Sequence, residues 1–297
     1  MANLIGTAFL LTLALNTLFW GALIYLLLPI KFLTPKGVAR QIVDRTMVWA
    51  AESWIQFNSL VLDTVYRIDW QVLDSSSLDP QKSYLVVANH VSSVDIVVLQ
   101  KIFNRRIPFL RFFIKRQLFY VPVIGGVWWA LNFPFMNRYS RDYLKKHPEK
   151  RSTDFDSVRR SCEKLRGQPV SILNFLEGTR FTEEKRSAQK SNFKNLLMPK
   201  AGGIGTILGL MGEQFEAIVD VTIYYPQGAP SLWDLLCGRC RQVKVSVRQL
   251  PVPQEIVKGN YQADAEVKTL TQNWVGALWE HKDEQLRLES LIKAEGN

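Results

Sequence analysis

The chain has 297 residues, 47% apolar and 22% charged, with a mean hydropathy of −0.03; this suits a packed core and excludes a disordered chain, a fibre and a polytopic transporter. Its three cysteines (Cys162, Cys237, Cys240) make no disulfide framework and suit a reducing compartment. A net charge of +10 favours an anionic partner, and nine Trp among many aromatic residues tilt that choice towards a lipid interface.

No charged side chain precedes Lys31, and the uncharged run from Leu4 to Ile30 is long enough as a helix to cross roughly 30 Å of hydrocarbon. It lacks the basic start and small-residue cleavage site of a signal peptide, so it is expected to stay on the protein. Lys31, Lys36, Arg40 and Arg45 follow, and the positive-inside rule places what comes next in the cytoplasm. Residues 38–70 stay apolar with sparse charges and with Trp49, Trp54 and Trp70, which reads as an amphipathic helix at the interface or as a core helix. A single span and a two-helix hairpin in one leaflet are equally compatible with the pattern. The turn-rich stretch 74–80 divides an anchor and interfacial helix (1–73) from an α/β domain (74–297).

Beyond it, runs at 84–88, 109–114, 170–176, 217–225 and 243–247 predict strands, rich in Val, Ile, Phe and Tyr. Runs at 96–103, 155–165, 204–211 and 263–293 predict helices, the second capped by Thr153 or Asp154 and ended by Gly167. Strands alternating with helices mean an α/β domain. The uncharged run 117–137 is broken by Pro122, Gly125, Gly126 and Pro134, and predicts an interrupted segment in the core or grazing the bilayer. The last helix carries Glu266, Lys268, Glu280, Lys282, Asp283, Glu284, Arg287 and Glu289, expected as a solvated face.

Two polar blocks follow predicted strands. Asn89-His90-Val91-Ser92-Ser93-Val94-Asp95 follows strand 84–88. In one helix, His90 and Asp95 would lie roughly 140° apart, so they meet only if His90 sits in the turn before the helix. Ser92 as N-cap with Asp95 three residues on supplies that turn. A carboxylate there can hold the imidazole Nδ1–H and leave Nε2 as a general base. Leu176-Glu177-Gly178-Thr179-Arg180 closes strand 170–176; Gly178 permits close backbone approach, Thr179 brings a hydroxyl and Arg180 a planar fork for a phosphate. Each block alone also reads as a cap or a polar turn.

Together, in this order and about 90 residues apart, the blocks resemble the PlsC-type glycerophospholipid acyltransferase family, whose members carry N-H-x4-D and later F-P-E-G-T-R. Phe113-Ile114-Lys115-Arg116-Gln117-Leu118 resembles the family's intermediate block, and Lys200-Ala201-Gly202-Gly203 with Asp220–Pro226 its fourth. Leu176 stands where Pro is usual and Gln117 where Glu is common. The resemblance implies a mixed sheet flanked by helices with a membrane-embedded N-terminal segment, and acyl transfer from acyl-CoA or acyl-carrier protein, with no resident cofactor or metal. The expected acceptor is 1-acyl-glycerol 3-phosphate, giving phosphatidic acid. It implies His90 and Asp95 as catalytic, and Lys115, Glu177, Gly178, Thr179 and Arg180 at the acceptor phosphate. Asn89, Arg116 and Lys200 are further substrate-binding candidates. The alternatives are remodelling of lysophosphatidylglycerol or lysocardiolipin, and a non-catalytic lipid-binding protein.

Direct attack by the acceptor needs no Ser or Cys nucleophile, and no G-x-S-x-G elbow is present. Cys237 and Cys240 form a lone C-x-x-C, too few ligands for a zinc site. His147 and His281 read as surface. Lys101, Arg105, Arg106, Arg111, Lys115 and Arg116 form a basic cluster suited to a lipid headgroup or CoA phosphate rather than nucleic acid. The expected location is the cytoplasmic face of a bacterial inner membrane or an equivalent endomembrane.

Overall fold

The β-branched and aromatic runs build one mixed sheet. The computed structural model describes residues 2–136, 143, 146–147, 151–257 and 259–295. Its strands are β1 (Asp69–Asp74), β2 (Ser83–Ala88), β3 (Leu110–Phe112), β4 (Ile114–Lys115), β5 (Phe135–Met136), β6 (Ser171–Phe175), β7 (Phe215–Tyr224) and β8 (Gln242–Leu250). Six of them form a sheet in the order β1-β8-β7-β2-β6-β3, and β4 pairs separately with β5. Strands β7, β2, β6 and β3 run parallel, β8 is antiparallel to β7, and β1 is parallel to β8. Every residue of β2 is buried, as expected where helices cover both faces of a parallel sheet.

The helices are α1 (Ala2–Leu33), α2 (Val38–Val61), α3 (Val94–Phe103), α4 (Ile124–Ala130), α5 (Arg151–Leu165), α6 (Glu183–Gln189), α7 (Ala201–Met211), α8 (Leu232–Leu236) and α9 (Ala265–Glu295), with a further turn at Gln254–Val257. On one face, Val94, Val98, Leu99 and Phe103 of α3 pack on Tyr84, Val86 and Val219 together with Phe9 of α1. On the other, α5, α7 and α9 cover Leu85, Val87, Ile172 and Ile218. Because four neighbouring strands are parallel, their carboxyl ends open on one edge, where ligands bind in such sheets.

Helices α1 and α2 are an antiparallel pair. Asn16 donates to the Asn58 side chain (2.8 Å), Trp54 Nε1 donates to Thr17 Oγ1 (3.0 Å), and Lys31 pairs with Asp44 (2.8 Å). Helix α1 is the one described helix long and apolar enough to cross a membrane, yet contacts tie both of its ends to the α/β domain. Arg239 donates to Asn3 (3.1 Å) at the start; Tyr25 donates to the Val123 carbonyl (3.0 Å) and Lys31 to that of Ala130 (2.6 Å) near the end. Gly6 and Gly21 permit this approach: a Cβ there would meet Cys237 Sγ at 2.6 Å and Val123 Cγ1 at 2.9 Å. Its outward side chains, Leu4, Leu11, Leu15, Phe19 and Leu26 among them, are exposed.

Several expectations change. The helix expected over 38–70 ends at Val61, passes through a π-type turn at Leu62–Tyr66 and is stopped by Arg67 in the left-handed region (φ 48°). Trp70 therefore lies in β1, paired with Val243. The strand expected over 109–114 is two strands, because the chain leaves β6 after Phe112 and rejoins with β5. Helix α5 starts at Arg151, which puts Thr153 and Asp154 inside it rather than at its cap, and Gly167 lies beyond its end with φ 75°. The basic cluster does not exist as a patch. Lys101 pairs with Asp63, Arg105 with Glu52 and Arg106 with Asp74, while the buried Arg111 donates to the Leu131 carbonyl. Lys282, expected on a solvated face, is wholly buried against β7. The interrupted reading of 117–137 fits as far as Met136, with a 3-10 turn at Arg116–Tyr120, then α4, then β5; Asn137 lies outside the described residues.

Candidate active site

Three adjacent parallel strands bring their following residues together at one edge, joined by the Tyr225–Asp95, Glu177–His90 and Phe181–His90 hydrogen bonds, and the chain beyond the neighbouring β3 carries two basic groups. Tyr225 follows β7, His90 follows β2, Glu177–Arg180 follow β6, and Lys115–Arg116 lie at the far end of the β3–β4 run. The site is thus assembled by strand order, although its parts are up to 135 residues apart in sequence.

His90 lies in the non-helical turn after β2, and its Nδ1 is 2.9 Å from Asp95 Oδ2. The same oxygen accepts the N–H groups of Val91 (2.7 Å) and Ser92 (2.9 Å), and Oδ1 accepts the Tyr225 hydroxyl (2.8 Å). Asp95 is fully buried, so these four donors replace its lost hydration. Ser92 is not the N-cap: that position is Ser93, while Ser92 Oγ accepts the Val94 N–H (3.0 Å) and donates to the Pro230 carbonyl. With Nδ1 committed to a carboxylate, the imidazole carries its proton there and presents Nε2 as the acceptor. Phe175 stacks on the ring at 4.0 Å with planes 16° apart, fixing its face as Asp95 fixes its edge.

Glu177, expected at the acceptor phosphate, is buried behind the site instead. Its Oε1 accepts the His90 backbone N–H (2.9 Å) and its Oε2 that of Leu197 (3.2 Å). Desolvation pushes its carboxyl up to about 7, opposed by those two hydrogen bonds and by the charge of Lys282. Lys282 itself donates to the Val221 carbonyl (2.6 Å) and pairs with Asp220 (2.7 Å), which also holds Arg248 (2.7 Å). Burial lowers the Lys282 ammonium from its usual range and raises the Tyr225 hydroxyl well above its own. Asn89 is likewise no substrate group: it is buried, donating to the Ile223 carbonyl (2.9 Å) and accepting the Ile223 N–H (2.8 Å), and so ties β2 to β7.

The exposed part of the site is basic. Gly178 turns the chain with φ 69°, and a Cβ there would lie 3.0 Å from Lys200 Nζ, so the lysine crosses directly over it. The Lys200 N–H is held by the Leu176 carbonyl (2.7 Å). Lys185 donates to Thr179 Oγ1 (3.0 Å) and to the Arg180 carbonyl (2.9 Å), which rigidifies the turn. Arg180, Lys115 and Arg116 are exposed. Sequence reasoning missed Phe175, Lys185 and the role of Tyr225; for Tyr225 the available signal was its place just after a parallel strand, beside the His90 strand.

A protein-family model described as Acyltransferase matches residues 69–224, just over half of the chain. Mouse 1-acyl-sn-glycerol-3-phosphate acyltransferase gamma is 29% identical over 61% of this chain and 45% of its own length. The human delta form is 26% identical over 68% of this chain and 52% of its own. Lysocardiolipin acyltransferase 1 of Danio rerio is 28% identical over 76% of this chain and 58% of its own. The chain thus spans about half the length of the curated relatives it matches. In fold it is similar to the crystal structure of PlsC, the 1-acyl-sn-glycerophosphate acyltransferase of Thermotoga maritima, with a TM-score of 0.56 at 18% identity over 96% of this chain and 97% of that one.

Proposed function

The chain belongs to the acyltransferase family, and we propose that it moves an acyl group from an acyl thioester to the free hydroxyl of 1-acyl-glycerol 3-phosphate, giving phosphatidic acid. The observation that carries this reading is the His90–Asp95 pair, fixed at Nδ1 by Asp95 and on one face by Phe175 with Nε2 left as acceptor, in a turn whose His90 carbonyl accepts the N–H of Phe181, next to the exposed Arg180. Nε2 takes the acceptor hydroxyl proton as the oxygen attacks the thioester carbonyl. Asp95 stabilises the imidazolium that forms. Collapse of the tetrahedral intermediate breaks the C–S bond, and Nε2–H returns the proton to the departing thiolate. Arg180 and Lys115 hold the acceptor phosphate, Arg180 through its planar fork. Thr179 and the Gly178 turn shape the floor of that subsite, with Lys200 and Arg116 at its rim. The thiol carrier is coenzyme A or acyl-carrier protein, bound as co-substrate.

For membrane placement we read the α1–α2 pair as lying in one leaflet rather than as a lone span, because the domain holds α1 near both ends while its outer face is bare apolar surface. The leaflet is the cytoplasmic one of a bacterial inner membrane or an equivalent endomembrane, in line with Lys31, Lys36, Arg40 and Arg45. A second acceptor reading has its own support. The lysocardiolipin acyltransferase matches a larger share of this chain than the other relatives described, which favours a remodelling role on a phosphodiester acceptor. The deciding experiment is competition for radiolabelled acyl-CoA among a panel of lysophospholipids, with the protein reconstituted in vesicles. Label in phosphatidic acid supports the first reading. Label only in a diester product would move the assignment to the second.

A further inference from the structure

We propose that residues 118–121, at the end of the 3-10 turn after Lys115, insert into the acyl-chain region of a lipid leaflet and form the path by which the acceptor enters the site. This rests on the membrane reading above. The turn Arg116–Tyr120 has no buried residue. Leu118, Phe119 and Val121 are each about 40% exposed and Tyr120 is 78% exposed. Four consecutive large apolar or aromatic side chains displayed in this way are an anomaly for a surface facing only water.

The ridge is not a loose loop. A Cβ at Gly125 would collide with the Phe119 carbonyl, and the Gly125 N–H donates to the Val121 carbonyl (2.9 Å). The Ile124 N–H reaches back to the Pro122 carbonyl (2.8 Å) with Val123 at φ 65° and ψ −64°, a γ-turn that a β-branched residue adopts only under constraint. The constraint is visible: the Val123 carbonyl accepts the Tyr25 hydroxyl of α1, and its side chain sits against Gly21. The fold therefore locks the ridge onto the helix whose outer face is bare apolar surface.

Two observations choose a leaflet as the occupant. The first is proximity: Tyr25 of α1, itself exposed, donates to the carbonyl of Val123, two residues beyond the ridge, and the α4 that follows carries the exposed Trp129, which stacks on the exposed Phe32 of α1 at 5.5 Å. The second is charge: Lys115 and Arg116, both exposed, directly precede the ridge in the chain, and Lys115 is one of the two groups proposed above for the acceptor phosphate. A phosphate that passes Arg116 to reach Lys115 and Arg180, with its chain lying along the ridge, describes a single-chain phospholipid leaving the bilayer head first.

The test uses the full chain with Tyr120→Cys, labelled by an environment-sensitive nitrobenzoxadiazole; the three native cysteines are buried. Vesicles of phosphatidylcholine with phosphatidylglycerol should raise the emission several-fold and shift it to the blue, and doxyl-labelled acyl chains should quench it. An unchanged signal while the protein co-sediments with the vesicles would overturn this proposal and leave the membrane reading standing; failure to co-sediment would overturn both. A signal that rises with protein concentration without lipid would assign the ridge to self-association instead. The second measurement is the double variant Phe119→Ser with Tyr120→Ser. Transfer to a long-chain acceptor in vesicles should fall at least tenfold, and transfer to a short-chain, monomerically soluble acceptor should not change. Equal losses on both acceptors would mean that the ridge only supports the fold, against the proposal.

Discussion

The carboxyl edge of the sheet and the outer surface of α1 with its neighbouring ridge are built on opposite principles. At the edge, polar groups are sunk out of water and each is answered: Asp95 receives four donors and Glu177 two backbone N–H groups. Buried polar networks of this kind are rigid when complete and costly when one member is removed. On the outer surface, apolar groups stand in the open with no described residue covering them. One region is explained by its hydrogen-bond partners within the protein. The other finds its partner, on the membrane reading proposed above, in a leaflet. On that reading Lys115 and Arg116, which precede the ridge in the chain, stand between substrate supply and chemistry.

That contrast is broken most severely by charge removal at the edge. Asp95→Asn keeps a side chain of the same shape in the turn but no charge to stabilise the imidazolium, so kcat should fall by about 10²–10⁴ in a folded protein. Circular dichroism and radiolabelled transfer on the same preparation check both halves of that statement. Glu177 gives a pH signature. Its folded value of about 7 lies above the ordinary 4.5, so between these the folded state holds a proton that the unfolded chain has lost. Stability through this group is therefore greatest at low pH and declines as pH rises from about 4.5 to 7, by up to about 3 kcal/mol. Urea midpoints of Glu177→Gln against wild type should show the difference changing across that window; parallel curves would mean that the carboxyl is not desolvated as described.

Smaller effects sharpen the boundary between the two regions. Arg180→Lys keeps the charge and loses the fork, which should raise the acceptor KM by about 10–100-fold and leave the donor KM nearly fixed. A change in donor KM alone would move this group to the carrier side. Tyr225→Phe removes one donor from Asp95; kcat should drop about tenfold with KM unchanged, because the group acts through Asp95 and touches no substrate. A loss of thermal stability with no change in kcat would reduce Tyr225 to a packing role.

Much of the edge was legible in the sequence because short Val- and Ile-rich runs announce buried parallel strands, and each polar block directly follows one of them. The spacing of His90 and Asp95 allowed contact only across a turn, and it was the second block, with the family resemblance, that made their pairing an expectation. What escaped the sequence depended on partners distant along the chain. Edge strand β1 has a mostly exposed pattern, and among the described residues it pairs with β8 alone, some 170 residues later. Lys282 reads as one more charge on a charged helix until β7 and Asp220 are seen to enclose it. Glu177 and Asn89 sit inside the recognised blocks, yet point into the scaffold, because a site motif encodes both the groups that meet substrate and those that hold them. For α1, length and hydropathy permitted a crossing, and the ties of Asn3, Tyr25 and Lys31 to the domain lie with partners about 100 or more residues away.

His90 Nε2 is proposed above as the base for acyl transfer at this edge. Its most direct test compares wild type with His90→Ala in vesicles carrying lysophosphatidic acid and radiolabelled acyl-CoA, with vesicle binding measured on the same samples. Wild type should give labelled phosphatidic acid and the variant none above background, with equal vesicle binding by both. Full transfer by a folded, membrane-bound His90→Ala protein would contradict that role.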